Sequence, residues 1–259
     1  MRILYPENPL NKRQADDPYH EEFIAVQALG HPCSLFDFDA LVCGEFKPRP
    51  KIEAGERVLY RGWMLNPDGY QTLVTQIDGK GGVPITAYAD YLHCHHLPGW
   101  YQQCHEFTAE THFFEADDHL ETNVTALGWN QYFVKDYVKS NTASNGSIAS
   151  SPADVRTIVE QLETYRGEVE GGVAIRRVEH YRVETECRYF VVHGTPYAPD
   201  GNVPTLVQEI ANRIRAPFYS VDVIENKAGE LRLVELGDGQ VSDRKTWPLS
   251  KFVEVINQL

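Results

Sequence analysis

The chain has 259 residues, 42% of them hydrophobic, and its 37 acidic against 24 basic side chains give a formal charge of -13. This supports a sizeable core in one large domain or two small ones, and it disfavours a nucleic-acid partner, which needs clustered Lys and Arg to release counterions from phosphates. No run approaches the ~20 apolar residues of a membrane span, and residues 1–10 carry Pro6, Glu7 and Pro9 where a signal segment would be apolar, so a cytoplasmic protein away from the membrane is expected. Cys33, Cys43, Cys94, Cys104 and Cys187 are scattered and odd in number, which fits reduced thiols better than a disulfide framework. No heptad pattern or broad apolar helix face speaks to the oligomeric state.

Residues 2–5 open as a short apolar strand, and Phe23, Ile24, Val26, Ala28 and Leu29 predict a helix over 21–29 that stops at Gly30. Residues 34–37 read as a second strand, which makes the first 45 residues a strand-helix-strand unit. A further strand at 58–61 leads into Gly62-Trp63-Met64. From residue 81 to 134 there is no Lys or Arg, while Asp90, Glu106, Glu110, Glu115, Asp117, Asp118 and Glu121 are present, so a polyanion near that segment must take its countercharge from elsewhere. Residues 131–138 predict a strand running into a small polar loop over 139–147. Ser151 as N-cap and Pro152 in the first turn open a helix with Val155, Ile158, Val159 and Leu162 on its apolar face. Strands are expected at 172–175, 187–192 and 218–224. Helices are expected at 205–213 and, after Trp247-Pro248, along Phe252, Val253, Val255 and Ile256. The pattern is mixed α/β or α+β, with antiparallel hairpins prominent in the second half.

Four groups of residues carry chemistry. Asp222 and Glu235 sit on two apolar strands joined by a turn; paired as a hairpin they would lie near each other at one end, as donors for a hard cation such as magnesium or as acids pointing at water. Lys135 and Lys139 share a strand face, either to hold an anion between them or to protect an edge strand. Beyond Lys139 the Ser, Thr, Asn and Gly residues through Ser147 offer donors suited to covering phosphates, without P-loop spacing. Glu186 and Arg188 also share a face, where the guanidinium can clamp a phosphoryl or carboxylate oxygen or pair across strands. The histidine-rich segment with His93, Cys94, His95, His96, Cys104 and His105 invites a zinc reading that its spacing supports weakly. It equally reads as an aromatic turn or, through His96, as an acceptor pocket.

Phe133-Val134-Lys135 before a Ser/Gly loop, the strand at 172–178, Glu186-Cys187-Arg188 and the Asp222 to Glu235 hairpin occur in an order that resembles the ATP-grasp fold. Tyr60-Arg61-Gly62, the Lys135 and Lys139 pair, and Val234-Glu235-Leu236-Gly237-Asp238-Gly239-Gln240 resemble more narrowly the clade of that superfamily marked by one arginine and two lysines. The likeness spans nearly the whole chain, with its stronger motifs after residue 130. It implies an α+β protein in which two α+β subdomains sandwich ATP, with a pre-ATP-grasp α/β region over 1–125 and the nucleotide- and metal-binding region over 126–259. The implied activity is an ATP- and Mg2+-dependent carboxylate-amine ligase working through an acyl phosphate, on a small-molecule or peptide carboxylate and an amine. By the same resemblance, Lys135, Lys139, Arg176, Glu186 and Ser147 would meet the nucleotide. Arg188, Arg61 and Lys139 would be catalytic, and Asp222, Glu235 and Asp238 would hold magnesium. Gly237 stands where familiar ATP-grasp ligases carry an Asn, and no lysine precedes the Phe-Val-Lys strand in the usual place, so a nucleotide-binding module without turnover is the alternative.

Overall fold

The computed structural model describes residues 1–138, 147–166 and 169–259. In chain order it contains β1 (Arg2–Pro6), α1 (Asp17–Ala28), β2 (Cys33–Phe36), α2 (Phe38–Val42), β3 (Arg57–Tyr60), α3 (Pro67–Gly79), β4 (Val83–Pro84), α4 (Tyr88–His95) and α5 (Leu97–Cys104). There follow β5 (Thr111–Phe114), α6 (Leu120–Thr125), β6 (Tyr132–Asp136), β7 (Ile148–Ala149), α7 (Pro152–Arg166), β8 (Val173–Arg177) and β9 (Tyr181–Val192). The chain closes with β10 (Thr195–Tyr197), α8 (Thr205–Arg213), β11 (Phe218–Asn226), β12 (Leu231–Asp238) and α9 (Leu249–Ile256). Mixed helices and antiparallel strands make it the expected α+β protein.

Two compact units share these elements. Unit one comprises residues 1–92, 188–220 and 238–259; unit two comprises 93–187 and 221–237. The division is interleaved along the chain, so that β9, β11 and β12 each contribute residues to both units.

Unit one holds a parallel sheet ordered β2-β1-β3-β4. The strand-helix-strand start is confirmed, and its strands are buried throughout β1 and β2, as a parallel sheet covered on both faces requires. One face packs Ile3, Tyr5, Leu35 and Leu59 against Val26 of α1 and Phe252, Val253 and Ile256 of α9, joined by Phe190, Phe218 and Trp247. The other packs Leu4, Phe36, Val58 and Tyr60 against Tyr70, Leu73 and Ile77 of α3.

Unit two holds an antiparallel sheet ordered β5-β8-β6-β7. Val134, Val173 and Ile175 meet Val155, Ile158, Val159 and Leu162, the predicted apolar face of α7. Ser151 caps that helix through its Oγ, which accepts from the Asp154 amide at 3.1 Å. β6 is an inner strand with partners on both sides, so the edge-strand reading of Lys135 is corrected. A third sheet has the order β10-β9-β11-β12. The turn between β11 and β12 is held by Asn226, whose side chain accepts from the amides of Ala228 and Glu230, and it closes on Gly229 in the left-handed region at φ 82°.

Candidate functional site

Within unit two Lys135, Arg176 and Glu235, three of the expected nucleotide and metal residues, come together. Lys135 leaves β6 opposite Ala174 of β8 and is buried, with Nζ 3.4 Å from Glu235 Oε2 of β12. Two strands' alternation brings Arg176 of β8 to the same region. It is buried, its Nη1 donates to the Val234 carbonyl at 3.0 Å and its Nη2 to Thr108 Oγ1 at 2.6 Å, and Nε has no hydrogen-bond partner among the described residues. Thr108 in turn donates to the Leu233 carbonyl at 2.7 Å, so one threonine ties Arg176 to β12.

Burial depresses the Lys135 ammonium below its ordinary pKa; the adjacent Glu235 opposes this and Arg176 adds to it. Burial depresses the Arg176 guanidinium too, partly offset by Tyr181 and Glu235. For both cations burial outweighs the nearby acids in the direction of the shift, and a bound polyanion would favour their charged forms.

Asp222 is fully buried at 0% exposure in the centre of β11, among Val221, Val223 and Ile224. The hairpin therefore places its acids midway along the strands, not at one end as expected, and Asp222 does not point at water. Ser147 lies beside β6, where its carbonyl accepts from the Val134 amide at 2.6 Å. Glu186 is exposed on β9. Lys139 falls outside the described residues.

Unit one contains the other predicted residues. Arg188 is buried at the unit-one end of β9, and its Nη1 donates to the Asp243 carbonyl at 2.9 Å and to the Asp243 carboxylate. Arg61, expected as a catalytic cation, has its donors turned to protein: Nε and Nη2 grip the two Glu22 oxygens at 2.8 Å each, and Nη1 reaches the carbonyls of Gly239, Gln240 and Ser242. Burial alone would depress this guanidinium, but Glu22 holds it above its ordinary value.

Asp238 is buried with Oδ1 accepting from the Gln240 amide at 3.0 Å and from Gln240 Nε2 at 3.1 Å. Desolvation pushes its pKa up to about 7, against the Gln240 hydrogen bonds and the Arg61 charge. Asp238, expected with Asp222 and Glu235 as a metal ligand, thus has one carboxylate oxygen committed to its own turn in unit one. Asp222 and Glu235 both lie in unit two. Two carboxylates suit magnesium, which takes one or two of them and completes its shell with water and phosphate oxygens.

The histidine-rich segment does not form a metal centre. Among the described residues no three His, Cys, Asp or Glu side chains are grouped to hold a metal ion. Cys94 and Cys104 are buried in helices α4 and α5, and His96 Nε2 lies 2.9 Å from Glu170 Oε1. Glu22, Thr108 and Asp243 are contacts that motif reading missed, while Gln240 stood at the end of the 234–240 motif without an assigned partner.

Residues 126–256, just over half of the chain, match the family described as ATP-grasp domain, R2K clade family 3. No curated protein matches the chain. Among solved structures it is similar to the D-alanyl-alanine synthetase A of Vibrio cholerae O1 biovar eltor str. N16961, with a TM-score of 0.64 at 11% identity over 100% of this chain and 96% of that one. A RimK domain ATP-grasp protein from Sphaerobacter thermophilus DSM 20745 gives a TM-score of 0.63 at 16% identity over 100% of this chain and 97% of that one. The macrocyclase MdnC of Microcystis aeruginosa MRC, solved with its precursor peptide MdnA, gives 0.60 at 10% identity over 100% of both chains. These likenesses establish the fold, and with the family match they identify the chain as a member of the ATP-grasp superfamily, R2K clade family 3.

Proposed function

We propose that the protein is an ATP- and Mg2+-dependent ligase that joins a carboxylate to an amine through an acyl phosphate. The observation that carries this reading is the gathering of Lys135 and Arg176 around Glu235 inside unit two, within the family-matched segment. Desolvated cations of this kind are preorganised for a phosphate chain, because no water need be displaced from them when it binds.

In this reading Lys135 and Arg176 neutralise the α- and β-phosphates, Ser147 and Lys139 add nucleotide contacts and Glu186 takes the ribose. Asp222 and Glu235 would hold magnesium, which when bound neutralises β- and γ-phosphate charge. Arg188 meets the γ-phosphate. A substrate carboxylate oxygen then attacks the γ-phosphorus and ADP leaves; the amine adds to the acyl carbon, phosphate departs and one proton is released. Loose phosphoryl transfer of this type asks for positioning and charge neutralisation more than for a base, which is what these side chains supply. The names of the similar structures, a dipeptide synthetase and a peptide macrocyclase, support a small-molecule or peptide carboxylate with an amine acceptor. In sequence terms the nucleotide and metal residues belong to the region 126–259, preceded by the region 1–125.

The test is the thermal midpoint with and without millimolar Mg-ATP, for the wild type and Lys135→Ala, followed by ADP release across a panel of amino acids and peptides. Ligand at about a hundred times its dissociation constant adds roughly 2.7 kcal/mol, a rise of about 5–10 °C for a chain this long. The rise should vanish in Lys135→Ala, and ADP should appear only with a competent acceptor. No rise in the wild type would refute the nucleotide site; binding without ADP release under any acceptor condition would favour the module without turnover that Gly237 suggests.

A further inference from the structure

Arg61 follows β3 and is 1% exposed, with its guanidinium carbon 4.9 Å above the Phe252 ring. Glu22 of α1 grips it in two-point fashion and also accepts from Tyr5 Oη at 2.9 Å. On its other side Nη1 lies 2.6, 3.0 and 2.9 Å from the carbonyls of Gly239, Gln240 and Ser242. Three carbonyl dipoles converging on one point repel one another, and a cation at that point is what makes the turn stable. Lysine could not replace it, since a single ammonium cannot serve a bidentate carboxylate and a carbonyl cluster on opposite sides.

The same turn is fastened through Gln240, whose Oε1 accepts from the Tyr60 amide at 3.1 Å and whose Nε2 donates to Tyr70 Oη at 2.7 Å. The next residue along is Asp243. Both its carbonyl and its carboxylate accept from Arg188 Nη1, so the end of the turn supplies acceptors for one nitrogen of the Arg188 guanidinium. A continuous chain of contacts within unit one thus runs from Glu22 through Arg61 and the 239–242 carbonyls to Asp243 and Arg188.

We infer that Arg61 is a positioning residue and not a phosphate ligand: the Glu22–Arg61 pair shapes the 239–242 turn, which sets Asp243 against Arg188 and thereby aims the guanidinium that takes the γ-phosphate. The inference rests on the ligase reading for the role of Arg188. Its signature is selectivity for the third phosphate. A merely structural pair, when weakened, would lower stability or affect all nucleotides alike; a positioning pair selectively erodes the preference for ATP over ADP.

The experiment is calorimetric titration of Mg-ATP and Mg-ADP into the wild type, Glu22→Gln, Arg61→Lys and Asp243→Asn, with thermal midpoints recorded alongside. Glu22→Gln and Asp243→Asn should keep their Mg-ADP affinity within about twofold and lose about tenfold in preference for Mg-ATP, the size of a hydrogen bond to a charged group. Arg61→Lys should behave like Glu22→Gln and not like the wild type. Asp243 is largely exposed, so Asp243→Asn remains decisive if the buried variants fail to fold. A wild-type preference for ATP retained in Asp243→Asn, or a wild type that does not distinguish the two nucleotides, overturns the inference. A wild type that binds neither nucleotide overturns the ligase reading itself.

Discussion

Lys135 and Glu235, 100 residues apart in sequence, meet as a part-buried ion pair inside unit two with Nζ 3.4 Å from Oε2. In the proposed reaction they serve different partners, the lysine a phosphate and the glutamate a metal. Each therefore stands in for the other's ligand in the protein alone, and keeps a costly buried charge from being left uncompensated.

Glu235→Gln should consequently destabilise the protein without nucleotide by about 1–3 kcal/mol, because the Lys135 ammonium is left buried without its acid. The double variant Lys135→Met with Glu235→Leu should recover most of that loss. Thermal midpoints of Lys135→Met, Glu235→Leu and the double variant form the cycle that measures the coupling. Additive effects would mean that the two charges do not sense each other.

Asp222→Asn should separate metal binding from folding. The substitution preserves the shape of a fully buried side chain while removing its charge, so the midpoint without magnesium is the reference against which the metal's contribution is read. The additional stabilisation by Mg-ATP over ATP with chelator should disappear. A variant that retains the magnesium increment would leave Asp222 out of the metal site.

The sequence made the skeleton of these sites readable where local chemistry decides it. Ser151-Pro152 announced α7, strand-period apolar runs announced β6, β8 and β11, and the order of the charged residues on them marked the family. Helix α3 was missed although Asn66 caps it on the Gly69 amide and Pro67 begins it, because mixed residues in its body diluted the apolar stripe. The partners of the charged groups were not legible for a different reason. Glu22 lies 39 residues from Arg61, and Thr108 lies 68 from Arg176, so no local pattern links them and only tertiary packing does. Arg61 shows the consequence: its residue type suggested a ligand contact, but its five donors can be allotted only once Glu22 and the 239–242 carbonyls are seen beside it.

Gly239 should tolerate no side chain. A Cβ built there would lie 2.5 Å from the Phe218 ring, while its own carbonyl is held by Arg61. Gly239→Ala must push either the ring or the turn, at a cost of about 1–3 kcal/mol. Phe218→Leu, which makes room, should suppress part of the loss when combined with it. Denaturant midpoints of the single and double variants check this, and an unaltered Gly239→Ala midpoint would show that the turn yields freely.

Asp238 should give the protein an unusual pH dependence. Its carboxyl titrates near 7 when folded against an ordinary 3.8, chiefly through desolvation, so the folded state keeps a proton that the unfolded chain releases. The sign follows: this group's contribution is greatest below pH ~4, declines as pH climbs and is lost above pH ~7, with a slope of at most about 1.4 kcal/mol per unit. Carboxylates with depressed values, such as Glu56 held by Arg2 in spite of its own desolvation, act in the opposite direction, so the comparison must be with Asp238→Asn and not with wild type alone. Asparagine retains the oxygen that accepts from Gln240 and cannot ionise. In urea unfolding the variant should match the wild type near pH 4 and exceed it increasingly up to pH 8. Parallel curves for the two proteins across that range would show that Asp238 is ionised in the folded state throughout, with Arg61 and the turn amide supplying more compensation than its burial removes.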